Sequence, residues 1–154
     1  MNIKLKNHIS ASLITVGAQE SLETALKTMQ NRKFRHLPVT DDKGIIIGLV
    51  SDRDIYKGLS QNQNQVSTVM TTNLKKVDIN DNIQDVIRCM VDHKISALPV
   101  TRDQEIIGLV TTEDLMYLLL KLLDESDDGP TLLTDFVESF KGLSESFKYP
   151  NYIT

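Results

Sequence analysis

The sequence predicts an α+β protein of two tandem β-α-β-β-α repeats related by internal pseudo-two-fold symmetry, followed by a short helical tail. Three observations carry this expectation. Leu37-Pro38-Val39-Thr40 recurs 61 positions later as Leu98-Pro99-Val100-Thr101. Gly48-Leu49-Val50-Ser51-x-x-Asp54 recurs 60 positions later as Gly108-Leu109-Val110-Thr111-x-x-Asp114. Ahead of each block stands the same apolar spacing, Leu22-x-x-Ala25-Leu26-x-x-Met29 and Ile83-x-x-Val86-Ile87-x-x-Met90. Positions i, i+3, i+4 and i+7 lie on one face of a helix, so each run reads as a one-sided amphipathic helix.

Each repeat opens on a short extended piece, Ile14-Thr15-Val16 or Lys75-Lys76-Val77. Ahead of these, His8–Leu13 aligns with Val69–Leu74, so the first copy starts almost at residue 1. After the helix comes a strand, Leu37–Val39 or Leu98–Val100, then a polar turn and a second strand, Ile45–Val50 or Ile106–Val110. Two apolar strands joined by a charged turn make a hairpin. The residue lost between the copies falls in that turn, where Asp41-Asp42-Lys43-Gly44 faces Arg102-Asp103-Gln104-Glu105. Pro38 and Pro99 cannot donate a ladder hydrogen bond, which places them at strand starts or on an edge. A second helix follows each hairpin. In copy one it ends near Gly58, and in copy two it runs Leu115–Leu123 and is apolar nearly all round. Such a helix needs cover on more than one side, from a second chain, the tail, or both.

The expected organisation is repeat one at 1–60, a linker at 61–66 overlapping the polar run Ser60–Gln65 (SQNQNQ), and repeat two at 67–123. An acidic linker and an amphipathic, aromatic tail fill 124–154, with a short helix at about 131–143. Five of the eight aromatic residues lie in the last 20 positions, which reads as a flap on its own domain or a docking segment.

A net charge of −4 disfavours a general nucleic-acid binder, which needs a basic field. No apolar run approaches the roughly 20 residues that span a bilayer. The first twelve residues hold no signal-peptide core. Cys89 is the one cysteine, so neither an internal disulfide nor a cysteine metal cage is expected. A cytoplasmic protein is the expectation. Neither a P-loop nor a Ser-His-Asp set is present, and His8 and His93 lack partners at metal spacing, so no enzyme and no metal site are expected.

Ser51-x-x-Asp54 and Thr111-x-x-Asp114 stand where a strand enters a helix. Hydroxyl followed three residues later by acid reads as a capping box, worth about 1 kcal/mol. The same geometry suits a ligand. Free N–H groups at a helix start attract an anion. A hydroxyl adds a donor, and an ionised carboxylate accepts from a vicinal diol. Both readings stand.

A twice-repeated unit with an apolar-Pro-Val strand and a Gly-h-h-Ser/Thr-x-x-Asp ending (h, apolar) resembles the cystathionine-β-synthase (CBS) domain family over about residues 8–123. The resemblance implies a paired Bateman module of the stand-alone type, commonly a homodimer. It implies binding of AMP, ADP, ATP or S-adenosylmethionine and regulation of a partner protein still to be identified. It makes Asp54 and Asp114 the ribose readers and Ser51 and Thr111 the phosphate-side hydroxyls. Adenine would lie between Thr15-Val16 or Lys76-Val77 and the strand starts Arg35-His36-Leu37-Pro38 or Ser96-Ala97-Leu98-Pro99. The copies differ in charge: Arg53, Arg35 and His36 face Glu113, Ser96 and Ala97 at the matching positions. Guanidinium groups favour polyanions, so the Ser51/Asp54 cleft is expected to take the more phosphorylated nucleoside.

Overall fold

The computed structural model describes residue 5 and residues 13–124. The expected start of the first copy at 8–12 and the tail helix at 131–143 lie outside the described residues. Packing divides the chain at residue 112 into two units.

In the first unit, each repeat forms a three-stranded sheet among the described residues. The first holds β1 (Val16–Gly17), β2 (His36–Thr40) and β3 (Ile46–Ser51). The second holds β4 (Val77–Asp78), β5 (Ala97–Arg102) and β6 (Glu105–Thr111). In both, the middle strand pairs parallel to the short first strand and antiparallel to the third. Helices α1 (Leu22–Arg32) and α3 (Ile83–His93) supply the crossovers that parallel pairing requires.

Helix α1 starts because the Ser21 hydroxyl accepts from the Thr24 N–H at 3.1 Å. It stops at Lys33 in the left-handed region, φ 57°, and α3 stops likewise at Lys94, φ 53°. The repeat thus extends to its helix ends, 61 residues apart. Leu22, Ala25 and Met29 bury one face of α1, and Ile83, Val86 and Met90 bury the same face of α3. With Val16, Leu37, Val39, Val50 and Ile55 the α1 face forms the core of the first half. Each Val, Leu, Ile or Met side chain among them gains about 1.5–3 kcal/mol on burial.

Val66 belongs to that core, and Val69 and Met70 pack against it, although all three open the second copy. They arrive through a 3₁₀ turn at Val66–Thr68. The expected polar linker is correspondingly pinned: the Leu22 N–H donates to the Asn64 carbonyl and the Val66 N–H to that of Glu20. Leu5, buried, donates its N–H to the carbonyl of Asp81, 61 residues after Glu20. The leading segment of each copy therefore docks on the helix entry of the other.

The hairpin turns carry the length difference. In the first, Asp41 Oδ1 accepts from the Lys43 and Ile45 N–H groups at 2.9 Å each, and Gly44 takes φ 78°. In the second, Arg102 pairs directly with Glu105, and Asp103 and Gln104 both take positive φ. The prolines sit on a local edge, though not at strand starts. Pro38 and Pro99 lie inside the middle strands, at the part of each strand that has one free side. Each is tolerated because the short first strand pairs only with the two residues that follow it, Val39-Thr40 or Val100-Thr101. At the proline the middle strand has a neighbour on one side only.

Helix α2 (Asp52–Ser60) follows β3 in the first unit. Helix α4 spans Thr112–Asp124, nearly all of it in the second unit. Among its described side chains Leu118 is buried, whereas Met116, Tyr117 and Leu120 are 58%, 70% and 55% exposed. No helix of the described residues is long and apolar enough to cross a membrane.

Candidate functional site

The junction of β3 with α2 is built by the ladder. His36 opens β2 directly across from Ser51, which closes β3. The Asp52 N–H donates to the Arg35 carbonyl at 3.0 Å, fixing where the helix leaves the sheet. The second half repeats both contacts: Ala97 faces Thr111, and the Thr112 N–H donates to the Ser96 carbonyl at 3.0 Å.

Ser51 and Asp54 form a complete capping box. The Asp54 N–H donates to Ser51 Oγ at 3.2 Å, and the Ser51 N–H donates to Asp54 Oδ2 at 2.9 Å. The Ser51 hydroxyl also donates to Oδ2. Asp54 Oδ1 has no hydrogen-bond partner among the described residues, so it can accept from an incoming diol.

The expectation of free N–H groups at this helix start is corrected. The Asp52 N–H is bonded to Arg35, the Arg53 N–H to Asp52 Oδ1 at 2.8 Å, and the Asp54 N–H to Ser51. All three first-turn donors are engaged internally, as is the Ser51 hydroxyl. An anion here would compete with existing bonds, and the charge available to it is that of Arg35 and Arg53.

Arg35 is itself occupied. Its Nε donates to Asp52 Oδ2 at 3.1 Å, with side-chain exposures of 63% and 27%. Sequence reasoning passed over Asp52. The signal was available, since copy two has Thr112 at the matching position. His36 is half-buried. Burial pushes its imidazole below the ordinary range; Asp52 opposes this, Arg35 reinforces it, and Asp54 and Arg53 add smaller opposing effects. The ring is therefore neutral at pH 7, and its Nε2 lies 3.2 Å from Ser96 Oγ. That hydrogen bond joins the strand starts of the two copies.

Arg35, His36, Ser51, Arg53 and Asp54 are thus gathered at one junction, with Ser96 reaching it from the other half. Val16 and Leu37 turn their side chains into the core, so they offer a ligand main-chain groups only. Pro38, Val77, Ala97, Leu98 and Pro99 are also buried, whereas Thr15 and Lys76 are exposed. Thr111 is half-buried at the end of β6, and Asp114 is exposed on the first turn of α4.

The sequence profile of the CBS domain matches residues 5–61 and 66–121. The chain is 30% identical over 115 residues to the L-aspartate semialdehyde sulfurtransferase of Methanocaldococcus jannaschii, covering 74% of this chain and 23% of that protein. It is 29% identical over 119 residues to a homoserine O-acetyltransferase of Methanosphaera stadtmanae, covering 77% of this chain and 24% of that protein. It therefore spans about a quarter of the length of these relatives. A CBS domain-containing protein of Dictyostelium discoideum is 28% identical over 139 residues, with coverage of 80% and 96%. Among solved structures, the CBS domain pair of protein MJ0100, in complex with 5′-methylthioadenosine and S-adenosyl-L-methionine, matches with a TM-score of 0.72. It is 29% identical, over 77% of this chain and 97% of that one.

Proposed function

The chain belongs to the CBS domain family, and on that premise we propose that it is a regulatory module that binds an adenosine-containing ligand and transmits the binding to a partner protein. AMP, ADP, ATP and S-adenosylmethionine are the candidate ligands. The observation that carries this reading is Asp54, whose carboxylate is fixed through Oδ2 while Oδ1 remains open. A ribose diol needs an acceptor of this kind, held in place before the ligand arrives. Binding of 5′-methylthioadenosine and S-adenosylmethionine by the solved MJ0100 pair supports the adenosine class. The His36–Ser96 bond supports transmission, because a ligand that shifts the β3–α2 junction acts on a contact shared by both copies. Repeats at 1–60 and 67–123, a cytosolic location and a homodimer belong to the same proposal. The exposed Met116, Tyr117 and Leu120 of α4 motivate the second copy.

Thermal unfolding against a panel of adenosine, AMP, ADP, ATP and S-adenosylmethionine tests the proposal. A ligand at 100 times its Kd stabilises by about 2.7 kcal/mol. For a chain of this size that is roughly 5–10 °C. Light scattering at micromolar concentration is expected to give twice the monomer mass.

A second reading is a ligand-free scaffold acting through protein contacts. The closed capping box favours it, since Ser51 and Asp54 already satisfy each other. Flat melting temperatures across the whole panel would select this reading.

A further inference from the structure

We infer that Asp52 sets the class of ligand accepted at the Ser51/Asp54 junction: it disfavours phosphorylated adenosines and favours those whose 5′ substituent is neutral or cationic, such as a thioether or a sulfonium. The inference rests on the adenosine-binding reading and specifies it further.

The Asp52 carboxylate covers two donors that a phosphate would use. Its Oδ2 holds Arg35 Nε at 3.1 Å, and its Oδ1 holds the Arg53 N–H at 2.8 Å. A phosphate reaching the other guanidinium nitrogens of Arg35 would stand within a guanidinium's width of a like charge. The remaining N–H groups of the first turn are bonded to Arg35 and Ser51. Around His36 two cations, Arg35 and Arg53, are matched by two anions, Asp52 and Asp54, and the imidazole is neutral at pH 7. The junction therefore has no net positive charge to offer a polyanion. A neutral thioether is indifferent to this balance, and a sulfonium meets no net repulsion, with Asp52 and Asp54 offsetting Arg35 and Arg53.

Stability does not require Asp52. An ion pair this exposed contributes little to folding, and the cap itself is made by Ser51 and Asp54. Copy two does without the acid, carrying Thr112 instead. On the adenosine-binding reading, with Ser51 on the phosphate side, the 5′ group lies beside this turn, and Asp52 changes the field there.

Calorimetric titration of the full chain, Asp52→Asn and Asp52→Thr with adenosine, 5′-methylthioadenosine, S-adenosylmethionine, AMP and ATP decides the matter. Asparagine keeps the shape of the side chain, and threonine copies the second half. The wild-type chain is expected to bind adenosine and 5′-methylthioadenosine more tightly than AMP or ATP. Both variants should tighten AMP by about tenfold, the scale of one charge-assisted hydrogen bond, and weaken S-adenosylmethionine while leaving adenosine nearly unchanged. Wild-type binding of AMP or ATP at least as tight as adenosine, or unchanged AMP affinity in both variants, overturns the role of Asp52 but leaves adenosine binding standing. Absence of binding by every probe, in all three proteins, overturns the adenosine reading itself.

Discussion

At Asp54 one carboxylate oxygen closes the helix cap and the other does not, and this separates the two tasks of the residue pair experimentally. Ser51→Ala removes the cap hydroxyl but leaves the carboxylate in place. It is expected to lose about 1 kcal/mol of stability, read as a lower denaturant midpoint, with adenosine affinity within twofold of wild type. Asp54→Asn keeps the shape and loses the charge. It should lose similar stability but weaken adenosine by about tenfold or more, since a charged acceptor is replaced by a neutral one. Equal losses of affinity in the two variants would tie binding to the cap alone. His36 adds a pH dependence. Its folded pKa lies below the unfolded value of about 6.5. In the window between those values the unfolded chain binds the extra proton, so stability rises with pH. The contribution is complete above about 6.5 and is lost as pH falls through the folded value. Urea midpoints across that window should fall with acidification in the wild type and flatten in His36→Gln.

Among the elements, the glycine of the Gly-h-h-Ser motif owes its identity to a crossing segment. The Leu49 N–H donates to the Thr71 carbonyl at 2.9 Å and the Thr71 N–H returns a bond at 2.8 Å, which brings residues 70 and 71 against β3. A Cβ on Gly48 would stand 2.8 Å from Met70 Sδ and 3.1 Å from the Thr71 carbonyl oxygen. The thioether can move aside, whereas the paired backbone cannot. Gly58 in α2 is tighter still, with Val69 Cγ1 at 2.5 Å and Leu22 Cδ1 at 2.9 Å of an added Cβ. Alanine favours an exposed helix interior by up to about 1 kcal/mol over glycine, but overpacking costs about 1–3 kcal/mol. Gly58→Ala is therefore expected to destabilise, and Val69→Ala in the same chain should recover part of the loss. Thermal melts of the two single variants and the double variant measure that coupling.

Over residues 1–112 as a whole, the copies do not fold as separate beads. Val66 is completely buried in the core of the first half, and Leu5 donates to the second half at the equivalent turn. Each half thus completes the other. Heating the full chain should give one transition for this unit, seen alike by far-ultraviolet circular dichroism and by hydrogen exchange at both sheets. A fragment ending at residue 61 should show no cooperative melt, because it lacks Val66, Val69 and Met70. Val66→Ala should lower stability by about 2 kcal/mol, the scale of a truncated core side chain. Independent melting of the halves would refute reciprocal docking.

The amino-acid sequence by itself determined the two-copy plan, the helix faces Leu22-Ala25-Met29 and Ile83-Val86-Met90, the hairpins and the junction residues Ser51 and Asp54. All of these follow from local periodicity and short-range spacing, which a linear string records. The placement of Pro38 and Pro99 inside the middle strands was decided only in three dimensions, because it depends on how few residues β1 and β4 contribute to pairing. So was the docking of Val66, Val69 and Met70 on the other copy's core. The occupied state of the helix start was only partly legible: the Ser51–Asp54 box follows from spacing, whereas Arg35 and Asp52 are 17 positions apart, and the nearby His36–Ser96 contact joins residues 60 apart. Charge letters at such separations do not report which donors already have acceptors. That information belongs to long-range geometry, which sets whether a basic residue faces a ligand or a neighbouring acid.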